Sequence, residues 1–118
     1  MVWQLAIDLS LTIYKLTADF PKHEIYGMTS QMRRASVSIA SNIAEGSARG
    51  TRKDFRQFVL IAKGSICELQ TQLCIARRLD YADSERFSFA EQQAQDIAQM
   101  LSGLSKYLAV PAPLKKAN

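Results

Sequence analysis

The side chains best suited to a specific chemistry are the cations between Gln31 and Arg56. Arg33, Arg34, Arg49, Arg52, Lys53 and Arg56 stand there against only Glu45 and Asp54. Cations gathered with few interleaved acids hold phosphate oxygens, arginine by forking two N–H donors onto one phosphate. At helical spacing Arg52 and Arg56 continue in line to Lys63, Gln70 and Cys74, with Lys53, Thr71 and Arg78 alongside and no carboxylate in that sector. The rival account of such a row is a solvated helix face.

Other chemistries lack their residues. His23 is the sole histidine and lies beside Glu24 in a connector. Cys67 and Cys74 sit seven apart in one helical pattern, roughly 10 Å along its axis, too far for a disulfide. They read as reduced thiols, and with one histidine they cannot close a zinc site. Neither a P-loop nor a G-x-G-x-x-G turn is present. Gly64-Ser65 looks superficially like a nucleophile turn, but it falls inside a helical pattern rather than between strand and helix. Trp3, Tyr14, Tyr26, Tyr81 and Tyr107 are scattered and form no base-stacking platform. The expectation is a non-enzymatic protein with no metal and no cofactor.

A second polar line, Gln31, Arg34, Ser38, Asn42, Glu45 and Arg49, runs along the preceding helix. A catalytic Glu45 would need a second acid or base, and none is at hand. The structural reading pairs Glu45 with Arg49 or Arg34 and has Asn42 tie its helix to a neighbour. The rest of that helix, Ala35, Ser36, Val37, Ile39, Ala40, Ile43, Ala44 and Gly46, is small or apolar. A helix apolar over so much of its circumference is buried on more than one side. One side suits a core; the other calls for a partner, and a second copy of the chain is the expected one.

Four helices must position these residues. Val2, Leu5, Leu9, Ile13, Leu16 and Phe20 recur at three- and four-residue steps, predicting a helix over 2–19 that Phe20-Pro21 ends. After the connector Pro21–Gly27, which has room for a short helical turn, Thr29 or Ser30 is the expected N-cap of a second helix. Its core positions are Met28, Met32, Ala35, Ile39, Ile43 and Gly46, and Gly50 is its stop. Thr51 through Asp54 resembles a capping box that starts a third helix burying Phe55, Phe58, Ala62, Ile66, Leu69, Leu73 and Ala76. Asp83 or Ser84 caps a fourth, with Phe87, Ala90, Ala94, Ile97, Leu101, Leu104 and Leu108 in a heptad-like stripe. The fold class is therefore all-α, an antiparallel up-down-up-down four-helix bundle. One domain spans residues 1–110, and 111–118 reads as a flexible basic tail.

Composition agrees. A chain of 118 residues, 47% hydrophobic and 22% charged, suits one soluble domain. The net charge of +4 favours an anionic partner. The acids Asp80, Asp83, Glu85, Glu91 and Asp96 cluster in the last third, so the positive field belongs to the middle. The first residues have no basic start, and Asp8 interrupts their apolar run, so neither a signal peptide nor a membrane span is expected. The expected compartment is the cytoplasm.

The segment FPKHEIYGMTSQMRRASVSIASNIAEGSARGTRKDF resembles the signature of a bacterial four-helix bundle family. Its members are encoded in intervening sequences of 23S rRNA genes, with chromosomal relatives. The continuation FVLIAKGSICELQTQL is similar to that family's third helix, and the likeness runs from about Leu11 to Leu108, with Ser41–Gly46 its most specific part. What the resemblance implies is a bundle assembling into a ring, typically a homopentamer. The chain also resembles the accessory proteins of diversity-generating retroelements, basic pentameric barrels that work with nucleic acid. Carried over by position, the signature residues are Arg34, Asn42, Glu45, Gly46 and Arg49; Ala40 departs from the proline many members carry there.

Two functions follow as expectations. In the first, an oligomeric bundle binds RNA or DNA through Arg33, Arg34, Arg49, Arg52, Lys53, Arg56 and Lys63, with little sequence specificity. In the second, the bundle is a homo-oligomeric interaction scaffold with no nucleic-acid role, and its arginines pair with acids of a neighbour or of a separate protein.

Overall fold

A computed structural model describes residues 1–111 of the chain. The flexible tail expected at 111–118 falls, from residue 112 onward, outside the described residues. Four helices are present: α1 (Val2–Thr17), α2 (Met28–Ala48), α3 (Arg52–Arg78) and α4 (Ser84–Ala109). A short 3₁₀ turn, Lys22–Glu24, lies between α1 and α2.

Each boundary has a local cause. α1 stops at Thr17, two residues before its expected end, and tightens into three-residue turns at Asp19 and Phe20 ahead of Pro21. α2 starts at Met28 with Gly27 as its N-cap, not at Thr29 or Ser30. The 3₁₀ turn carries Glu24 over the helix start, where its Oε1 accepts the Met28 N–H at 3.1 Å. A carboxylate there satisfies an orphan donor and complements the helix dipole, so no hydroxyl cap is needed. α2 runs unbroken through Ala40, where a proline would remove a backbone donor. Gly50 takes a φ of +87° after Arg49, and Thr51 Oγ1 accepts the Asp54 N–H at 3.1 Å to open α3. α3 ends through Asp80, at φ +57°, while the Tyr81 N–H returns to the Ala76 carbonyl. Asp83 then caps α4 by accepting the Arg86 N–H.

The helices form a square in chain order. α1 packs on α2 and α4, and α3 packs on α2 and α4; among the described residues the diagonal pairs do not meet. Leu9 and Ile13, Met32 and Ile39, Val59, Ile66 and Leu69, and Phe87 and Leu101 fill the centre. Two expected core positions on α3 move. Phe55 and Phe58 are half-buried, and Val59 takes the fully buried place between Phe55 and Ala62. The cause is Gly46: a Cβ there would stand 2.5 Å from Phe58 Cβ and 3.1 Å from Phe55 Cδ1. The two rings straddle the bare backbone of α2 instead of pointing inward. α3 is long and apolar enough to cross a membrane by length and composition, yet Val59, Ala62, Ile66, Leu69, Leu73 and Ala76 face the bundle core.

Candidate nucleic-acid interface

Alternating helix directions bring the start of α1, the end of α2, the start of α3 and the end of α4 to one end of the bundle. Arg49, Arg52, Lys53 and Arg56 stand at that end. Arg52 Nη2 donates to the carbonyls of Tyr107 (2.7 Å) and Val110 (3.0 Å), and its guanidinium lies 4.5 Å from the Tyr107 ring centre. Arg56 Nε donates to the Ser105 carbonyl at 3.1 Å. Both therefore cap the carbonyl end of α4, where the helix dipole is negative. Lys53 is exposed beside them. A groove of about 520 Å³ opens there between Arg52, Lys53, Arg56, Gln57 and Val110.

The electrostatic consequence depends on the partners. Carbonyl oxygens orient Arg52 and Arg56 without cancelling a full charge, so their positive field remains. Arg49 differs: its Nη2 donates to Glu45 Oε1 at 3.2 Å, and its guanidinium lies 5.0 Å from the Phe58 ring centre. Glu45 thus pairs with Arg49, one of the two partners expected for it, and both remain more than half exposed.

The other three sequence candidates stand elsewhere. Arg33 and Arg34 belong to the opposite half of α2, about 22 Å along the axis from Arg49. Arg33 Nε donates to Thr17 Oγ1 at 2.9 Å and its guanidinium covers the Tyr14 ring at 4.7 Å, so it bridges α2 to α1. Arg34 is exposed. Lys63 is half-buried midway along α3, about 16 Å beyond Arg52. The seven cations do not form one surface; four form an end. Their sequence proximity reflects the α2–α3 turn, and the lengths of α2 and α3 separate the rest.

Of the family-signature residues, Asn42, Glu45, Gly46 and Arg49 make contacts within the chain. Asn42 Nδ2 donates to the Ser38 carbonyl (2.8 Å) and Oγ (3.0 Å), and Ser38 Oγ meets Ser65 Oγ of α3 at 2.9 Å. Asn42 therefore bonds only within α2, and Ser38 rather than Asn42 makes the hydrogen bond to α3. Gly46 admits Phe58.

Two polar clusters escape local spacing. Arg77 holds Glu91 at 2.7 Å and the Ser84 and Ser88 hydroxyls, which raises its pKa, chiefly through the hydrogen bond to Glu91. Tyr81 donates its phenolic O–H to Glu24 Oε2 at 2.5 Å. That bond, with the one from Met28, holds the Glu24 carboxyl below its ordinary range, and the same Tyr81–Glu24 bond, with burial, pushes the Tyr81 phenol above its own. Each cluster joins residues from separate elements, so only a sequence reader who knew the helix pairing could find them. Cys67 and Cys74 are free and exposed, and no group of three potential metal ligands occurs among the described residues.

Fold and site together define an antiparallel four-helix bundle with a cationic end built across two helix termini. The chain belongs to the 23S rRNA-intervening sequence protein family, whose model matches residues 1–103. Among solved structures, it is similar to a protein of unknown function from the S23 ribosomal protein family of Bacteroides thetaiotaomicron, with a TM-score of 0.80. The two share 23% identity over 90% of this chain and 99% of that one, a likeness that shows the fold alone. No curated protein matches the chain.

Proposed function

We propose that this protein is a non-enzymatic, homo-oligomeric bundle that binds RNA or DNA through phosphate contacts at the end formed by Arg49, Arg52, Lys53 and Arg56. The observation that carries the reading is the pairing of Arg52 and Arg56 with backbone carbonyls. They are pre-oriented yet keep their charge, which suits a polyanion with little sequence preference. A ring, pentameric where the family resemblance leads, repeats this end and turns a few weak contacts into an avid surface. The test is binding to a structured RNA and to duplex DNA across a salt series. Affinity falling steeply with salt supports the reading; no binding at low salt, or affinity indifferent to salt, overturns it.

A second reading has its own observation. Arg33, Arg52 and Arg56 all bond within their own chain, which also suits a scaffold with no nucleic-acid role. Charge reversal at Lys53 separates the two. It has no ion-pair partner among the described residues, so Lys53→Glu lowers nucleic-acid affinity in the first reading and changes nothing in the second.

A further inference from the structure

Four residues of α3 follow one another at seven-residue steps: Arg56, Lys63, Gln70 and Arg77. Seven residues are nearly two turns, so the four share one flank of the helix. That flank faces α4, because three of them bond across to it. Arg56 Nε donates to the Ser105 carbonyl, Gln70 Nε2 to Gln95 Oε1 at 3.4 Å, and Arg77 to Glu91. Lys63 is the exception and has no ion pair among the described residues. Midway between the Arg56 and Gln70 contacts, it stands level with about residue 100 of α4. The α4 side chains on that flank there are Ala98 and Ser102, and neither is an acid.

A second cation faces the same seam from the other side. Lys106 lies three turns beyond Gln95 and five beyond Ser88 on α4, and both of those bond residues of the α3 row. Lys106 is exposed, has no ion pair among the described residues, and adjoins Ser105, the partner of Arg56. The carboxylates of these stretches point away. Asp54 and Glu68 precede Arg56 and Gln70 by two residues, about half a turn, and Asp96 lines a cavity against Leu5 of α1. From Arg52 the seam is therefore cationic for roughly 16 Å, as far as Lys63, and it continues into amides. There Gln70, Gln92 and Gln95 line a recess of about 510 Å³ with Ser88 and Glu91. The charge of Glu91 is met by Arg77 at 2.7 Å.

We propose that the α3/α4 seam is the path of one unpaired nucleic-acid strand, its phosphates on Arg56, Lys63 and Lys106 and its bases on the amides of Gln70, Gln92 and Gln95. The proposal rests on the nucleic-acid reading above and names the form of its ligand and the path it takes. Cations first and amides beyond match the two halves of a nucleotide. Lysine and arginine meet the backbone. A glutamine amide offers a donor and an acceptor together, the pattern that pairs with a base edge. Among the described residues, the long Gln70–Gln95 bond is all that occupies those two amides, and a base can replace it. Packed helices stand about 8–10 Å apart, so the seam between them admits a single strand. A duplex, its base-pairing edges already used, touches only the cationic end. Lys63, remote from that end, rejoins the site through the seam.

The test is fluorescence anisotropy on the full-length protein with a short labelled oligo(A) RNA, alone and as its duplex with oligo(U), across a salt series. The single strand is expected to bind roughly tenfold more tightly than the duplex. Lys63→Ala and Lys106→Ala should each flatten the single-strand salt slope by about 0.7, and Lys63→Ala should leave the duplex slope unchanged. Gln70→Ala and Gln95→Ala should weaken single-strand binding severalfold without altering either slope. Circular dichroism verifies that each variant folds. Equal affinity for the two forms, or single-strand binding indifferent to Lys63, Lys106 and both glutamines, overturns the seam and leaves the phosphate-binding end standing. No binding of either form at low salt overturns that reading as well.

Discussion

Arg52 and Lys53 are adjacent cations in different surroundings. Arg52 is held by two carbonyls at the end of α4, so Arg52→Ala should cost about 1–2 kcal/mol of stability, read as a lower urea midpoint with unchanged m-value. Lys53→Ala should leave that midpoint in place and flatten the salt dependence of nucleic-acid binding by about one phosphate contact. A second residue-scale expectation concerns Glu24 and Tyr81. The folded state lowers the Glu24 pKa below 4.5, so its contribution is complete above the unfolded value and is lost as pH falls through the folded one. Tyr81 shifts the other way. Its folded pKa is raised above 10.0, so its contribution is present below the unfolded value and disappears as pH rises through the folded one. Thermal melts from pH 2 to 11 should show both losses, and Tyr81→Phe should shrink both.

At the scale of elements, two helical glycines predict opposite outcomes. Gly46 sits where Phe58 Cβ would be 2.5 Å from an added methyl. Gly46→Ala must push α2 from α3 and disturb Asn42–Ser38–Ser65, a loss of about 1–3 kcal/mol in denaturant unfolding. Gly64 faces open space, so Gly64→Ala should stabilise the bundle by about 1 kcal/mol. Urea unfolding of the two variants measures both changes. The same elements show how far local signals reach. Helical periodicity placed α1 to α4, and the turn chemistry of Gly50, Thr51 and Asp83 placed most of their ends. It misplaced the start of α2 because Glu24, a side chain from the preceding turn, supplies the cap. It put Phe58 in the core because a helical wheel registers hydrophobicity and not the absent Cβ opposite.

For the whole molecule, the net charge of +4 is unevenly spread, and a polyanion responds to the densest part of it. If Arg52, Lys53 and Arg56 each contact one duplex phosphate, affinity per copy should fall about 40-fold between 50 and 200 mM salt. A ring that presents several such ends to one duplex would fall more steeply still. Fluorescence anisotropy with a labelled duplex measures both. By itself the sequence determined that this chain makes four amphipathic helices, where they turn, and which family it resembles, because periodicity, capping and turn geometry act over a few residues. Only the tertiary structure decided what each cation does. Arg52 meets Tyr107 across 55 residues of sequence and Arg56 meets Ser105 across 49. Such partners depend on which helices stand side by side, and at what height. That geometry divided one run of charge into a cationic end beside the last turn of α4, a staple between α1 and α2, and side chains left without an ion pair among the described residues.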